Sequence, residues 1–264
     1  MSRSLGFLAG GLFAAAAVLV AASLPSAAQS AGPSQHRADY RVSFIGLPVA
    51  QASFTTTIDG ATFSVDGNLT SAGVANIVGR TQGQSKVTGV VAQDRMQAST
   101  YRLSYQSGDE TQSMAVDFQD GAVVKAVLNP QKKRTRPDWV PTDQGDLQSV
   151  LDPIAGFMLP GDADVCDRTL PLFDGETRYD VHMSEAGRQP FETDGFSGEA
   201  IVCTARAEMK AGYHAENSAV EFLRTARAEV WFAKNEAADL YAPVFARIPT
   251  KLGPVRITAT RFGS

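Results

Sequence analysis

Two cysteines, Cys166 and Cys203, are the only ones among 264 residues, and they carry the clearest chemical potential in the chain. A thiol pair can cross-link, hold a metal or cycle between oxidation states. Redox pairs are more often spaced Cys-x-x-Cys, and a nucleophilic thiol needs a base beside it. This pair is widely separated in a chain that opens on an export signal, so it is read as one structural disulfide clipping two strands. Closing that loop removes about 4 kcal/mol of unfolded-state freedom in the chain-entropy account.

Other reactive residue types are scattered. His36, His182 and His214 are the only histidines; a metal site wants several ligands converging, and cysteines held in a disulfide cannot serve. Asp174 and Glu176 could form an acid/base pair for glycan chemistry. Asp174-Gly175, however, follows Pro171-Leu172-Phe173 and reads more simply as a turn, with Asp174 free to pair with Arg178. No Gly-x-Ser-x-Gly nucleophile motif is present. No catalytic, cofactor-binding or metal-ligating residue is therefore assigned. The most suggestive surface feature is the basic run Lys132, Lys133, Arg134 and Arg136 beside Trp139, in a long aperiodic stretch from Asn129 to Gly145. Cations with an amphipathic aromatic suit anionic lipid headgroups or an acidic partner protein, although charge runs in loops are commonly just solvated.

The elements that must position these residues are mostly strands. Tyr40, Val42 and Phe44 alternate with Arg41 and Ser43, and the same period of two recurs at Tyr101–Tyr105, Met114–Phe118 and Tyr179–Met183. Asp59-Gly60 and Asp120-Gly121 sit between β-prone runs as hairpin turns. Asp146 followed by Leu147, Val150, Leu151 and Ile154 predicts one helix near 147–158, plugging one end of a curved sheet. Val220–Phe232 reads as either strand or helix. The fold class is mainly β: a single antiparallel β-barrel or β-spiral-like curved sheet, one domain over 39–264, after a flexible lead-in at 31–38.

Residues 1–30 read as a cleavable Sec-type signal peptide: Arg3, an apolar run from Leu5 to Leu24, then small residues with cleavage within 28–31. A membrane anchor is the competing reading, since the run approaches bilayer-spanning length, but no basic stop sequence follows it. Cleavage would remove Arg3 and no acid, taking the net charge from −4 to −5. That mildly acidic balance argues against nucleic-acid binding, and no later run is apolar enough to span a membrane. The expected location is the periplasm.

The order of Leu151-Asp152-Pro153, Cys166-Asp167-Arg168, Phe173-Asp174-Gly175, Arg178-Tyr179-Asp180, Gly195–Gly198 before Cys203, Ala211-Gly212-Tyr213 and Glu229-Val230-Trp231 resembles exported bacterial proteins grouped as domain of unknown function 3108. The resemblance runs from about Tyr40 to Arg261. It implies a β-spiral or open-barrel envelope protein without agreed catalytic residues. The expected function is non-enzymatic binding of an envelope partner, protein or lipid, in support of envelope integrity. The rival readings are a lipid or lipoprotein carrier with an apolar cavity, in which Ile154 or Phe157 would matter, and a cell-wall glycan hydrolase. Oligomeric state is not legible.

Overall fold

The structure is a computed structural model that describes residues 32–264 apart from 132, 133, 135 and 162; the side chains of Ile77 and Val78 are also outside the description. The segment read as a signal peptide therefore lies outside the described residues, as do Lys132 and Lys133. In chain order the elements are β1 (Ser34–Phe44), β2 (Leu47–Asp59), β3 (Thr62–Ser71), the short α1 (Ala75–Val78), β4 (Thr81–Val91), β5 (Met96–Ser107), β6 (Glu110–Gln119) and β7 (Ala122–Asn129). Then come β8 (Trp139–Val140), β9 (Leu159–Pro160), β10 (Thr169–Phe173), β11 (Arg178–Thr193), β12 (Phe196–Ala211) and β13 (Tyr213–His214). Helix α2 (Ser218–Thr225), β14 (Ala228–Asn235), β15 (Leu240–Ile248) and β16 (Val255–Gly263) complete the chain.

The chain begins in the middle of its own sheet. From β1 it meanders antiparallel to one edge at β7, crosses to the far edge at β10, and meanders back until β16 pairs with β1. Short turns make this possible. Asp120 and Gly121 both take positive φ, 51° and 80°, the two-residue geometry that matches strand twist and that an Asp-Gly pair favours. Alternation does the rest: in β3, Phe63, Val65 and Gly67 are buried between half-buried Ser64 and exposed Asp66.

The sheet is curved but not closed. Among the described residues β7 and β10 do not pair with each other; the crossing connection bridges them instead. The Val123 amide donates to the Leu147 carbonyl (2.9 Å) and the Val150 amide to Gly121 (2.9 Å). On the other side the Leu151 amide donates to Pro171 (2.8 Å), and the Phe173 amide donates to Leu151 (2.9 Å).

This bridging corrects the predicted helix at 147–158. The stretch is a run of turns and bends with an isolated bridge from Leu151 to Leu172 and a 3₁₀ turn at Ala155–Phe157. Its apolar spacing fits a helix, but its backbone groups are taken by two sheet edges, and Pro153 has no N–H to give a helix interior. Among the described residues the helix of more than one turn is α2, which overlaps the start of the stretch read as strand or helix, while β14 takes its end; Asn217 caps α2 by accepting from the Ala219 amide (2.9 Å), and Val220 is buried. A second correction concerns the lead-in at 31–38. Strand β1 already starts at Ser34, and His36 and Ala38 are buried on the same face as the predicted inward positions. A histidine at an inward position hides the alternation from sequence.

Two apolar clusters form the core. One joins the inner faces of β3–β6 to the crossing span, β15 and β16; the other gathers around Leu151, Leu172, Met183, Phe232 and the cysteines. Cys166 and Cys203 form a disulfide, both buried, with Cα atoms 5.7 Å apart. Cys166 lies in a bend before β10 and Cys203 in β12, so the bond ties the crossing connection to a strand rather than strand to strand.

Candidate functional site

The basic stretch folds back on the protein. Arg134 stacks over the Trp139 ring (4.6 Å to its centroid) and pairs with Glu176 (3.3 Å). Arg136 pairs with Asp138 (2.9 Å), whose other oxygen meets His214 Nδ1 (3.0 Å). Trp139 packs edge-on to His214, because β8 pairs with β13 there. The structure thus brings Arg134, Arg136, Trp139 and His214 together, with both arginines already neutralised by acids the sequence reading did not connect to them.

The acidic pair is a turn. Asp174 accepts from the Glu176 amide (2.9 Å) and the Thr177 amide (2.7 Å). Arg178 binds Asp180 (2.6 Å), two residues along the same strand, and the Asp146 carbonyl (3.1 Å). His182 is half-buried between Thr169 (3.0 Å) and Glu208 (2.9 Å). Lys210 and then His182 hold the Glu208 carboxyl down to about 2.

Two buried titratable groups were not anticipated. His36 stands edge-on to Phe262, ring centroids 4.4 Å apart, and neither ring nitrogen has a hydrogen-bond partner among the described residues. Burial pushes its pKa down to about 4. Asp152 is fully buried at the head of the 3₁₀ turn. One oxygen accepts from the Ile154 and Ala155 amides (2.9 Å each), and the other has no partner among the described residues. Burial pushes this carboxyl up to about 6 against the pull of those amides.

The concave face of β2–β6 holds the feature best suited to a ligand. Cross-strand registers line up its inward side chains in rows. The row over the core is Thr56, Val65, Val87, Tyr101 and Val116, filled by the crossing span. The next row outward is Phe54, Gly67, Ser85, Leu103 and Met114, and beyond it Ala52, Leu69, Gly83 and Tyr105. Small residues at the middle of both outer rows leave a hollow that the larger flanking side chains wall in. The result is a groove of about 250 Å³ with Ile154 of the crossing span at its side. At Gly67 an added side chain would strike the Phe54 ring and the Ser85 hydroxyl, whereas at Gly83 the nearest atoms stand back at 3.6 Å. A smaller cleft of about 120 Å³, lined by Met114, Leu128, Pro130 and Asp174, shares Leu103 and Tyr105 with it.

The groove is apolar and open. Leu69 (38 %) and Tyr105 (36 %) remain exposed on its rim although both face inward. A larger hollow of about 600 Å³ at the opposite end is lined by Arg188, Glu199, Lys234 and Glu236; there Lys234 is already paired with Asp239 (2.9 Å) and Glu236 (3.7 Å).

The family described as "Protein of unknown function (DUF3108)" matches residues 39–260 of the chain. The chain belongs to that family. A crystal structure described as a beta-barrel-like protein of domain of unknown function DUF1849 from Brucella abortus is similar to it. The two share 11 % identity with a TM-score of 0.52, over 87 % of this chain and 97 % of the other. At that identity the likeness establishes the curved β fold alone. No curated protein matches the chain.

Phe157, which the carrier reading paired with Ile154, packs in the disulfide cluster, and only Ile154 of the two lines the groove. The sequence signal for the groove was available in principle. Inward positions in β3 and β4 change from Phe63, Val65 and Val87 to Gly67, Gly83 and Ser85, but only register shows that these small residues adjoin.

Proposed function

We propose that this is an exported, non-enzymatic binding protein that holds a lipid acyl chain in the groove on its concave face. The observation that carries the reading is an inward-facing apolar surface left uncovered: Phe54, Leu69, Leu103, Tyr105 and Ile154 surround a floor of glycine and serine. Inward faces of a sheet are normally filled by the protein's own core, and uncovered apolar surface of this kind marks a binding site. Seating about six methylenes at about 0.8 kcal/mol each gives ~5 kcal/mol before ordering costs, enough for reversible binding.

The periplasm is the compartment this reading needs. The apolar N-terminal run with its small-residue exit supports export, and the buried disulfide supports an oxidising environment. Hydrolysis of glycan is the less favoured reading, because Asp174 is engaged by two backbone amides and Glu176 faces Arg134. Titration with a fluorescent fatty acid tests the proposal. Wild type should bind the probe in the micromolar range or tighter, and Ile154→Asp or Leu103→Glu should abolish binding while circular dichroism stays unchanged. Equal binding by all three proteins would refute it.

A further inference from the structure

Strand direction puts four turns at the open end of the groove: Ile45-Gly46 between β1 and β2, the 72–80 stretch between β3 and β4, Gly108-Asp109 between β5 and β6, and the 249–254 turn between β15 and β16. These turns are neighbours. The Ile45 amide donates to the Pro254 carbonyl (3.2 Å), the Ile45 side chain fills the space beside Gly253, and the Ala72 amide donates to Val49 (2.8 Å).

Large apolar side chains project from them into solvent: Ile45 is 57 % exposed, Leu47 54 % and Leu252 79 %, with Val74 also exposed. Ile45 adds an independent observation. It takes φ of 49° in a turn whose second residue, Gly46, has φ of 83°. A β-branched residue is a genuine outlier there, where Asn or Gly would be relaxed, so a bulky hydrocarbon is kept at an exposed tip against backbone preference.

Cations predominate on the segments that carry these tips; the acids beside them are Asp109 and Glu110 on the β5–β6 turn, whose Gly108 amide donates to the Arg80 carbonyl (3.2 Å), and Glu229, opposite Arg247 across β14 and β15. Residues 40–58, 67–93 and 240–264 contain no Asp or Glu, in a chain of net charge −4. Arg41, Arg80, Arg247, Lys251 and Arg256 are all exposed, and none makes an ion pair among the described residues. Arg247 and Arg256 stand directly opposite each other across β15 and β16, a like-charge pairing, with Glu229 of β14 on the other flank of Arg247.

We propose that this rim docks on an anionic lipid bilayer, with Ile45, Leu47 and Leu252 entering the interface and the arginines and Lys251 contacting headgroup phosphates. Apolar tips ringed by unpaired cations are complementary to a surface that is hydrocarbon below and negative above. The inference rests on the groove reading for its purpose: docking would bring the open end of an acyl-chain groove to a source or destination of acyl chains.

Cosedimentation with vesicles tests it. Full-length processed protein should bind phosphatidylcholine vesicles containing one-third phosphatidylglycerol at low salt, and bind pure phosphatidylcholine or high-salt mixtures more weakly. Each surface cation removed should cost about fivefold, so Lys251→Ala with Arg256→Ala should weaken binding about 25-fold. Ile45→Ser with Leu252→Ser should weaken it at least tenfold, whereas Val127→Ser, an exposed apolar residue on β7, should leave it unchanged. Absence of binding by wild type at low salt, or equal binding by the tip variants, overturns the proposal. The same proteins are titrated with the fluorescent fatty acid. If vesicles bind through the tips while the probe finds no groove, docking stands and the acyl-chain reading fails.

Discussion

The two buried titratable groups make opposite demands on acid stability, and separating them tests how the interior is built. His36 is held down to about 4 from 6.5. The folded protein therefore resists protonating it, and stability is lost as pH falls from about 6.5 to 4. At 1.36 kcal/mol per unit that loss is about 3 kcal/mol. Asp152 is raised to about 6 from 3.8. The folded protein favours its protonated form, so the same acidification returns about 3 kcal/mol. In wild type the two contributions nearly cancel across that window. Asp152→Asn should unmask the histidine: the amide oxygen still accepts from the Ile154 and Ala155 amides, but no carboxyl remains to be protonated. The variant should be more stable than wild type at pH 7, by up to about 3 kcal/mol, and should lose that advantage progressively down to pH 4. His36→Leu should show the converse, gaining relative to wild type as pH falls. Urea unfolding at pH 7, 6, 5 and 4.5 measures both. Profiles for wild type and Asp152→Asn that stay parallel to within about 0.5 kcal/mol would refute the reasoning, since no buried charge would then be titrating.

Three further outcomes follow from the geometry. Cys166→Ser with Cys203→Ser should lower stability by up to about 4 kcal/mol, seen as a fall in Tm, while fatty-acid binding at low temperature persists; loss of binding with stability intact would point to an active thiol. Gly83→Val should keep the fold, because β4 is extended there and the nearest atoms are 3.6 Å from the added carbon, yet it should fill the groove and displace the fatty-acid probe; undiminished probe binding would place the ligand elsewhere. Ile45→Asn should relax the turn and raise stability by about 1 kcal/mol by thermal melting, while vesicle binding falls; a gain in both would remove the argument that the tip is kept for an apolar contact.

Much of the fold was legible wherever a residue's local chemistry settled its conformation. Asp120-Gly121 makes the two-residue turn its types suggest, Asp59-Gly60 marks a hairpin whose turn residues are Gly60 and Ala61, and the alternating runs at Tyr101–Tyr105 and Tyr179–Met183 are strands. The reading failed where long-range contacts overrode local pattern. Leu147, Val150, Leu151 and Ile154 have helical spacing, but two sheet edges claim the backbone of the first three, and the Asp152 carboxylate takes the Ile154 amide. The groove was illegible for a related reason: Gly67, Gly83 and Ser85 come from two strands and form one floor only through the β3–β4 register. The basic stretch was visible as a run of charge, but its acids, Glu176 and Asp138, could be matched to Arg134 and Arg136 only once the loop's path was known.

The measurement that bears most directly on the acyl-chain claim is native mass spectrometry of protein purified gently from the periplasm, with solvent extraction of whatever accompanies it. A stoichiometric lipid adduct on wild type, absent from Gly83→Val purified in parallel, is the predicted result. A clean polypeptide mass for wild type, lower by the two hydrogens of the disulfide and unchanged after incubation with fatty acid, would contradict the account.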